Sequence, residues 1–249
     1  MTEPARPRAA RIRSASFSAE ARGPGELPPP ASLEVAFAGR SNVGKSSLMN
    51  ALLERRNLVR TSSTPGCTRG VAFFSAETVD DARFMLVDLP GYGYAKRSKQ
   101  EQEGWARLIE GYLLERPTLA AVVLIVDVRR GLEPDDLDLL EMMAGPARTT
   151  RGPVTTLVVA TKLDKLPATR RRSALAALER AAGRPLIGFS AVDGTGRDPL
   201  WRWIRRALGV DGASAAGATA ASDATPRSAP ASAPPKKARR RHQPRGATR

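Results

Sequence analysis

One string constrains the fold of this chain more than any other: Gly39-Arg40-Ser41-Asn42-Val43-Gly44-Lys45-Ser46. It follows an apolar run, Leu33 to Ala38, that reads as a strand, and it opens a helical pattern from Lys45 to Glu54. G-x-x-x-x-G-K-[S/T] between a strand and a helix is a phosphate-binding loop. Gly39 and Gly44 permit backbone geometry that a side chain would block. Successive N–H groups and the helix N-terminus then surround a phosphate. Lys45 adds a point charge on the β- and γ-phosphates, and the Ser46 hydroxyl is placed to ligate Mg²⁺.

The rest of the body repeats the strand–helix alternation. β-like runs recur at Val71–Ser75, Arg83–Val87, Ala121–Val126, Val154–Ala160 and Leu186–Phe189. Helical patterns lie near Ser98–Glu115, Pro134–Ala144, Ala168–Ala182 and Asp198–Leu208. This predicts an α/β fold, a mainly parallel sheet with helices on both faces. In such sheets ligands bind outside the carboxyl ends of the strands, where the remaining motifs sit.

Asp88-Leu89-Pro90-Gly91 follows the run Phe84–Val87. A carboxylate at that strand end can support Mg²⁺ through a water, and the Gly91 N–H can meet a γ-phosphate. The stretch Thr61–Gly70 is polar and broken by Pro65 and Gly66, so it reads as a mobile loop. A hydroxyl from it could complete the Mg²⁺ shell, with Thr68 preferred over Thr64. After the run Val154–Ala160 comes Thr161-Lys162-Leu163-Asp164. Guanine offers two adjacent N–H donors that one carboxylate accepts together, and adenine offers no such pair. Asp164 is therefore the base-selecting candidate, and the Lys162 stem can pack on the base. Phe189-Ser190-Ala191 closes the last strand, where a backbone N–H could meet the guanine O6.

The ordered set GRSNVGKS, TPGCT, DLPG, TKLD and FSA resembles the five guanine-nucleotide motifs of the translation-factor-related GTPases. DLPGYGYAK and TKLDK are similar to the EngB family of ribosome-biogenesis GTPases within the TrmE-Era-EngA-EngB-like superfamily. The match spans about residues 33–208. What it implies is a Ras-like P-loop G domain with a six-stranded mixed sheet and one antiparallel edge strand. It also implies GTP and GDP binding, GTP hydrolysis, and a role in large-subunit assembly that supports cell division and septation. By motif match, nucleotide contacts would come from Gly39 through Ser47, from Gly66, Cys67 and Thr68, and from Asp88 through Gly91. Thr161 through Asp164 and Phe189 through Ala191 would complete the set. Ser46 and Thr68 would be the metal ligands, and Lys45, Asn42 and Gly91 would serve hydrolysis. Cys67 stands where an Arg is usual before the switch Thr, and Thr161 where most GTPases carry Asn.

Many switch GTPases orient the attacking water with a Gln directly after D-x-x-G. Here that residue is Tyr92, so the chain alone should hydrolyse slowly. In related GTPases lacking the Gln, an Asn at the position of Asn42 helps coordinate K⁺; alternatively Asn42 only stabilises the loop backbone. Two other readings stand beside GTP hydrolysis: a P-loop ATPase, opposed by Lys162 and Asp164, and an RNA-binding protein with a structural nucleotide site, opposed by Thr68, Asp88 and Gly91.

Charge adds a partner. The chain has 40 basic and 25 acidic residues, a net charge of +15, which favours polyanions. Residues 211–249 hold 8 Lys/Arg against 2 Asp, including Lys236-Lys237-Ala238-Arg239-Arg240-Arg241. They are expected to be a disordered basic tail that binds RNA through counterion release. Residues 1–32 are expected to be a disordered basic arm, leaving 33–210 as the folded domain. Tyr92–Lys99 could also touch rRNA, whereas Arg170–Arg172 reads as a solvated face. The single Cys and the single His, His242 in the tail, exclude an intrachain disulfide, a cysteine zinc cluster and a histidine base in the body. The longest strongly apolar run, Leu119–Val126, has eight residues, and a membrane span takes about 20. The expectation is a cytoplasmic monomer with the large ribosomal subunit and its rRNA as partners and no membrane contact.

Overall fold

The computed structural model describes residues 12–60, 70–92, 99–146 and 152–210. Seven strands and five α-helices follow in order: β1 Ile12–Ala21, β2 Glu34–Gly39, α1 Lys45–Leu53, β3 Val71–Thr78, β4 Arg83–Asp88, α2 Lys99–Glu115, β5 Leu119–Asp127, α3 Pro134–Ala144, β6 Thr155–Thr161, α4 Ala168–Ala182, β7 Leu186–Gly188 and α5 Arg197–Ala207. The sheet order is β1-β3-β4-β2-β5-β6-β7. Pairs β1–β3 and β3–β4 are antiparallel, and the pairs from β4–β2 to β6–β7 are parallel.

Side chains alternate between the two faces of the central strands, as a sheet covered on both sides requires. Val35 and Phe37 of β2, with Val123 and Ile125 of β5, face α1 and α5 and meet Leu48, Leu52, Trp201 and Ile204. Ala36, Ala38, Val122 and Leu124 face the other way and meet Leu108, Leu139 and Leu178 of α2, α3 and α4. Trp201 is fully buried, and Trp203 packs against the same cluster.

Two expectations change. The sheet has seven strands rather than six, and residues 12–32 are part of the domain rather than a disordered arm. The added strand is β1. In its sequence, IRSASFSAEA, Ala15, Phe17, Ala19 and Ala21 alternate with polar residues, but three of the four are small and only the strand's ends, Ile12 and Ala21, are buried, so the pattern is weak. It is held by ladder bonds to β3 and by polar pairs such as Ser16 with Ser75. Strands attached in this way leave little hydrophobic signature. Residues 1–11 and the tail 211–249 lie outside the described residues.

The linker after β1 is fixed as well. Arg116, just beyond α2, donates from Nη1 to the Pro28 carbonyl at 2.7 Å. Its other guanidinium N–H groups reach the Glu34 carboxylate at 2.6–3.0 Å, where Tyr112 and Thr118 also donate at 2.8 Å each. Glu34 and Arg116 are both buried, and the pair ties the start of β2 to the end of α2 and the start of β5.

A candidate nucleotide-binding site at the carboxyl ends of the strands

Gly39 ends β2, and the loop from Arg40 to Gly44 passes directly into α1 at Lys45, Ser46 and Ser47. A Cβ on Gly39 would lie 2.5 Å from the Ile125 carbonyl, so only glycine lets the loop leave the sheet beside β5. Asn42 adopts a left-handed φ of 66°, which Asn tolerates better than most residues. That geometry accounts for an Asn here whether or not its side chain also meets a cation.

Asp88 ends β4, next to β2 in parallel register. Lys45 donates from Nζ to Asp88 Oδ1, and both side chains are buried. Leu89 returns its N–H to the Phe37 carbonyl at 3.0 Å, carrying Pro90 and Gly91 over the phosphate loop. A Cβ on Gly91 would stand 3.0 Å from Ser41 N and 2.9 Å from Ser41 Oγ. The D-x-x-G glycine therefore lies against the loop backbone where no larger residue fits.

The base-side motifs reach the same loop from the other side. Thr161 ends β6, and its hydroxyl sits 2.5 Å from the Val43 carbonyl and 3.0 Å from the Val126 carbonyl, sharing one proton between them. This explains how Thr can stand at this position: the hydroxyl fastens the T-K-L-D segment to the phosphate loop. Lys162 lays its stem alongside Gly44 and donates from Nζ to the Asn42 carbonyl at 2.5 Å. The same ammonium pairs with Asp127 at 3.1 Å. Leu163 donates its N–H to the Phe189 carbonyl at 3.1 Å, and Ser190 Oγ donates to Asp164 Oδ1 at 3.1 Å. Asp164 is thus oriented by the F-S-A segment, with Ala191 next in the chain. Gly66, Cys67 and Thr68, and Thr64 with them, lie outside the described residues.

Four acidic positions took part in none of the motifs. Asp127, at the end of β5, accepts from Arg129 side-chain and backbone N–H groups and from Lys162. Burial opposes its charge, yet the bonds from Arg129 and Lys162 outweigh that and hold the carboxyl below the usual carboxylate range. Glu133 and Asp135, at the start of α3, each pair with Arg40 at 3.0 Å. Asp136 accepts from the Tyr92 hydroxyl at 2.6 Å. Burial raises the Asp136 carboxyl above its ordinary value, and the same burial, followed by the Asp136 charge, raises the Tyr92 phenol. The apolar run ending in Val-Asp at Val126-Asp127 was a usable signal for Asp127. Nothing local in the sequence points Tyr92 or Arg40 at α3.

The arrangement is a loop of backbone N–H groups with an ammonium and a carboxylate at one end and an oriented carboxylate at the other. That suits a polyphosphate joined to a base with paired N–H donors. Among the described residues, no group of three His, Cys, Asp or Glu side chains is placed to hold a metal alone. The oxygens at hand, the Ser46 hydroxyl and the Asp88 carboxylate, are hard donors that fit Mg²⁺ when phosphates and waters supply the other ligands.

Known proteins share this sequence and fold. The family model described as "50S ribosome-binding GTPase" matches residues 34–162. A probable GTP-binding protein EngB of Anaeromyxobacter sp. (strain Fw109-5) is 46% identical over 212 residues, 82% of this chain and 95% of the relative. Its counterpart in Desulforapulum autotrophicum is 44% identical over 77% of this chain and 95% of the relative. A crystal structure of a probable GTP-binding protein EngB superposes with a TM-score of 0.54 at 25% identity, covering 70% of this chain and 98% of that one. Aquifex aeolicus Era bound to GDP and AlF₄⁻ shares the fold, with a TM-score of 0.56, 24% identity and coverage of 70% and 56%.

Proposed function

This chain belongs to the EngB GTP-binding proteins of the 50S ribosome-binding GTPase family, and from that membership we propose that its GTP cycle serves assembly of the large ribosomal subunit in the cytoplasm, and through it cell division. The observation that carries the reading is the convergence of two segments on one loop, from opposite sides. Lys45 reaches Asp88, Thr161 reaches the Val43 carbonyl, and Lys162 reaches the Asn42 carbonyl. A loop braced on both sides is preorganised to tell GTP from GDP at one end and guanine from adenine at the other.

In the proposed cycle, loop N–H groups from Asn42 to Ser46 surround the β-phosphate. Lys45 turns from Asp88 toward the β- and γ-phosphates as they enter. Ser46 and Thr68 would hold Mg²⁺, with Asp88 in support, and the ion would add charge neutralisation at the phosphates. Gly91 donates its N–H to the γ-phosphate. Asp164 accepts from the guanine N–H pair, the Lys162 stem covers the base, and an N–H of the Phe189–Ala191 segment meets O6. Hydrolysis is phosphoryl transfer to water, so the protein contributes position and charge. Tyr92 offers no amide to orient that water, and its hydroxyl is engaged with Asp136, which keeps the intrinsic rate low. K⁺ bound with the help of Asn42 would supply charge otherwise missing.

The test is sedimentation of the protein with purified large subunits in a non-hydrolysable GTP analogue and in GDP. Retention with the analogue and release with GDP is the expected result. Equal retention in both would remove the switch from the proposal.

A further inference from the structure

Helices α1 and α5 cover one face of the sheet, and α2, α3 and α4 the other. Two helices, one from each side, differ most in charge. Helix α3 carries Asp135, Asp136, Asp138 and Glu141 and no basic residue. Helix α5 carries four arginines against Asp198.

Ion pairing divides the arginines on the α1–α5 side into two groups. Arg197 is taken by Glu54, Arg205 by Asp80, and Arg13 by Glu77 and Asp81. These pairs consume the local carboxylates and join α5, the end of α1, β1 and the β3–β4 turn into one surface. Arg202 and Arg206, one turn apart on the solvent side of α5, are exposed and have no acidic partner among the described residues. Arg56 beyond α1 is exposed in the same way. The Arg55 guanidinium beside it donates to the Glu54 and Arg13 carbonyls.

We propose that this surface, centred on Arg202 and Arg206, docks the phosphate backbone of folded RNA; the proposal rests on the ribosome-assembly reading above. Leu200, Trp201 and Ile204 bury the opposite side of α5, so its arginines project from a fixed helix. Unpaired guanidinium groups on a rigid helix match phosphates bidentately and do not have to leave an acid first. The acidic first turn of α3 repels the same polyanion, which orients the domain on it.

Placement supports this role. Asp80, which pairs with Arg205, lies at the Arg83 end of β4, and Asp88 lies at the other. RNA on the α5 surface therefore leaves the nucleotide loops open. The chain also leaves the domain here. The Val210 carbonyl accepts from Arg205 at 2.9 Å, and the 39 residues that follow hold 8 Lys/Arg against 2 Asp.

The test compares the full chain with R202A/R206A and R202K/R206K, titrated with a labelled transcript of large-subunit ribosomal RNA across KCl concentrations. The alanine pair should bind roughly tenfold more weakly, with the salt slope shallower by about 1.5, while the lysine pair keeps the wild-type slope and binds with intermediate affinity. GTP affinity and melting temperature should not move. If the wild type binds and the alanine pair binds equally well with the same slope, the inference fails and the ribosome reading stands. If the wild type binds no RNA, both fail. If the alanine pair keeps RNA affinity but no longer sediments with large subunits, the surface docks protein and the RNA assignment is overturned.

Discussion

The Tyr92 hydroxyl donates to Asp136 Oδ1 at 2.6 Å, so the residue following the D-L-P-G glycine is fastened to the first turn of α3. The Tyr92 carbonyl meanwhile accepts the Ser41 N–H at 3.1 Å. One residue therefore bridges the phosphate loop and a helix outside the site. Tyr92→Phe removes the hydroxyl and leaves a buried carboxylate one bond short. The expected loss is about 1–3 kcal/mol, read from the denaturant midpoint. Turnover without ribosomes should change little, because neither side chain offers an amide to the water. A large drop in kcat would give Tyr92 a direct part in hydrolysis.

Asp127 should make stability acid-sensitive. Its carboxyl lies below the usual range in the fold, so the unfolded chain takes up a proton more readily than the native one. The stabilisation is full above the unfolded carboxyl's value of about 3.9 and fades as pH falls from there toward the lower folded value. Melting Asp127→Asn beside wild type should show their difference shrinking below pH of about 4. A difference constant with pH would remove the electrostatic account.

Asp164→Asn exchanges an acceptor pair for one acceptor and one donor. GTP affinity should fall by at least roughly tenfold, because a guanine N–H loses its partner and meets an amide donor. Xanthosine triphosphate, which carries a carbonyl where guanine has its amino group, should gain affinity. Competition against a fluorescent GDP analogue reads both. Unchanged preference for GTP would displace Asp164 from base selection.

Glu34 and Arg116 form a buried pair with two further donors on the carboxylate. Removing one partner strands the other, and Arg116→Met should cost about 3–5 kcal/mol in chemical denaturation. The loss should be similar with and without GTP, since the pair lies at the start of β2 and the nucleotide loops lie at its end. A selective loss of GTP binding would instead connect this pair to the site.

Potassium supplies a further check. GTPase rates measured at equal ionic strength should be higher in K⁺ than in Na⁺, and Asn42→Ala should reduce the gap. Equal rates for the wild type would leave Asn42 with its left-handed backbone as its only function.

The candidate nucleotide site was legible in the sequence because the chemistry expected of it demands particular residues in order. Gly39, Asp88 and Thr161 end parallel strands, and Lys45, Gly91 and Asp164 follow them within a few residues at the same edge of the sheet. The parallel strands were legible because both faces are buried, which leaves apolar runs such as Leu119–Val126. β1 was not, since an edge strand attached by backbone bonds and serines has no such run. Long-range polar contacts were hidden for another reason. Tyr92 and Asp136 are separated by 44 positions and Arg116 and Glu34 by 82, so only the folded chain shows them as partners.

β1 also sets a practical boundary for anyone shortening the protein. A chain begun at Leu33 would keep every motif residue that contacts the nucleotide in the proposed cycle. It would also bare the ladder groups of β3 along Val71–Thr78 and uncover Phe74, now packed edge-on against Phe17 at 5.8 Å. An open, partly apolar strand edge is a template for pairing with a second chain. Such a fragment would bind GTP in dilute solution and self-associate on concentration, and its loss of monomer would say nothing about the nucleotide.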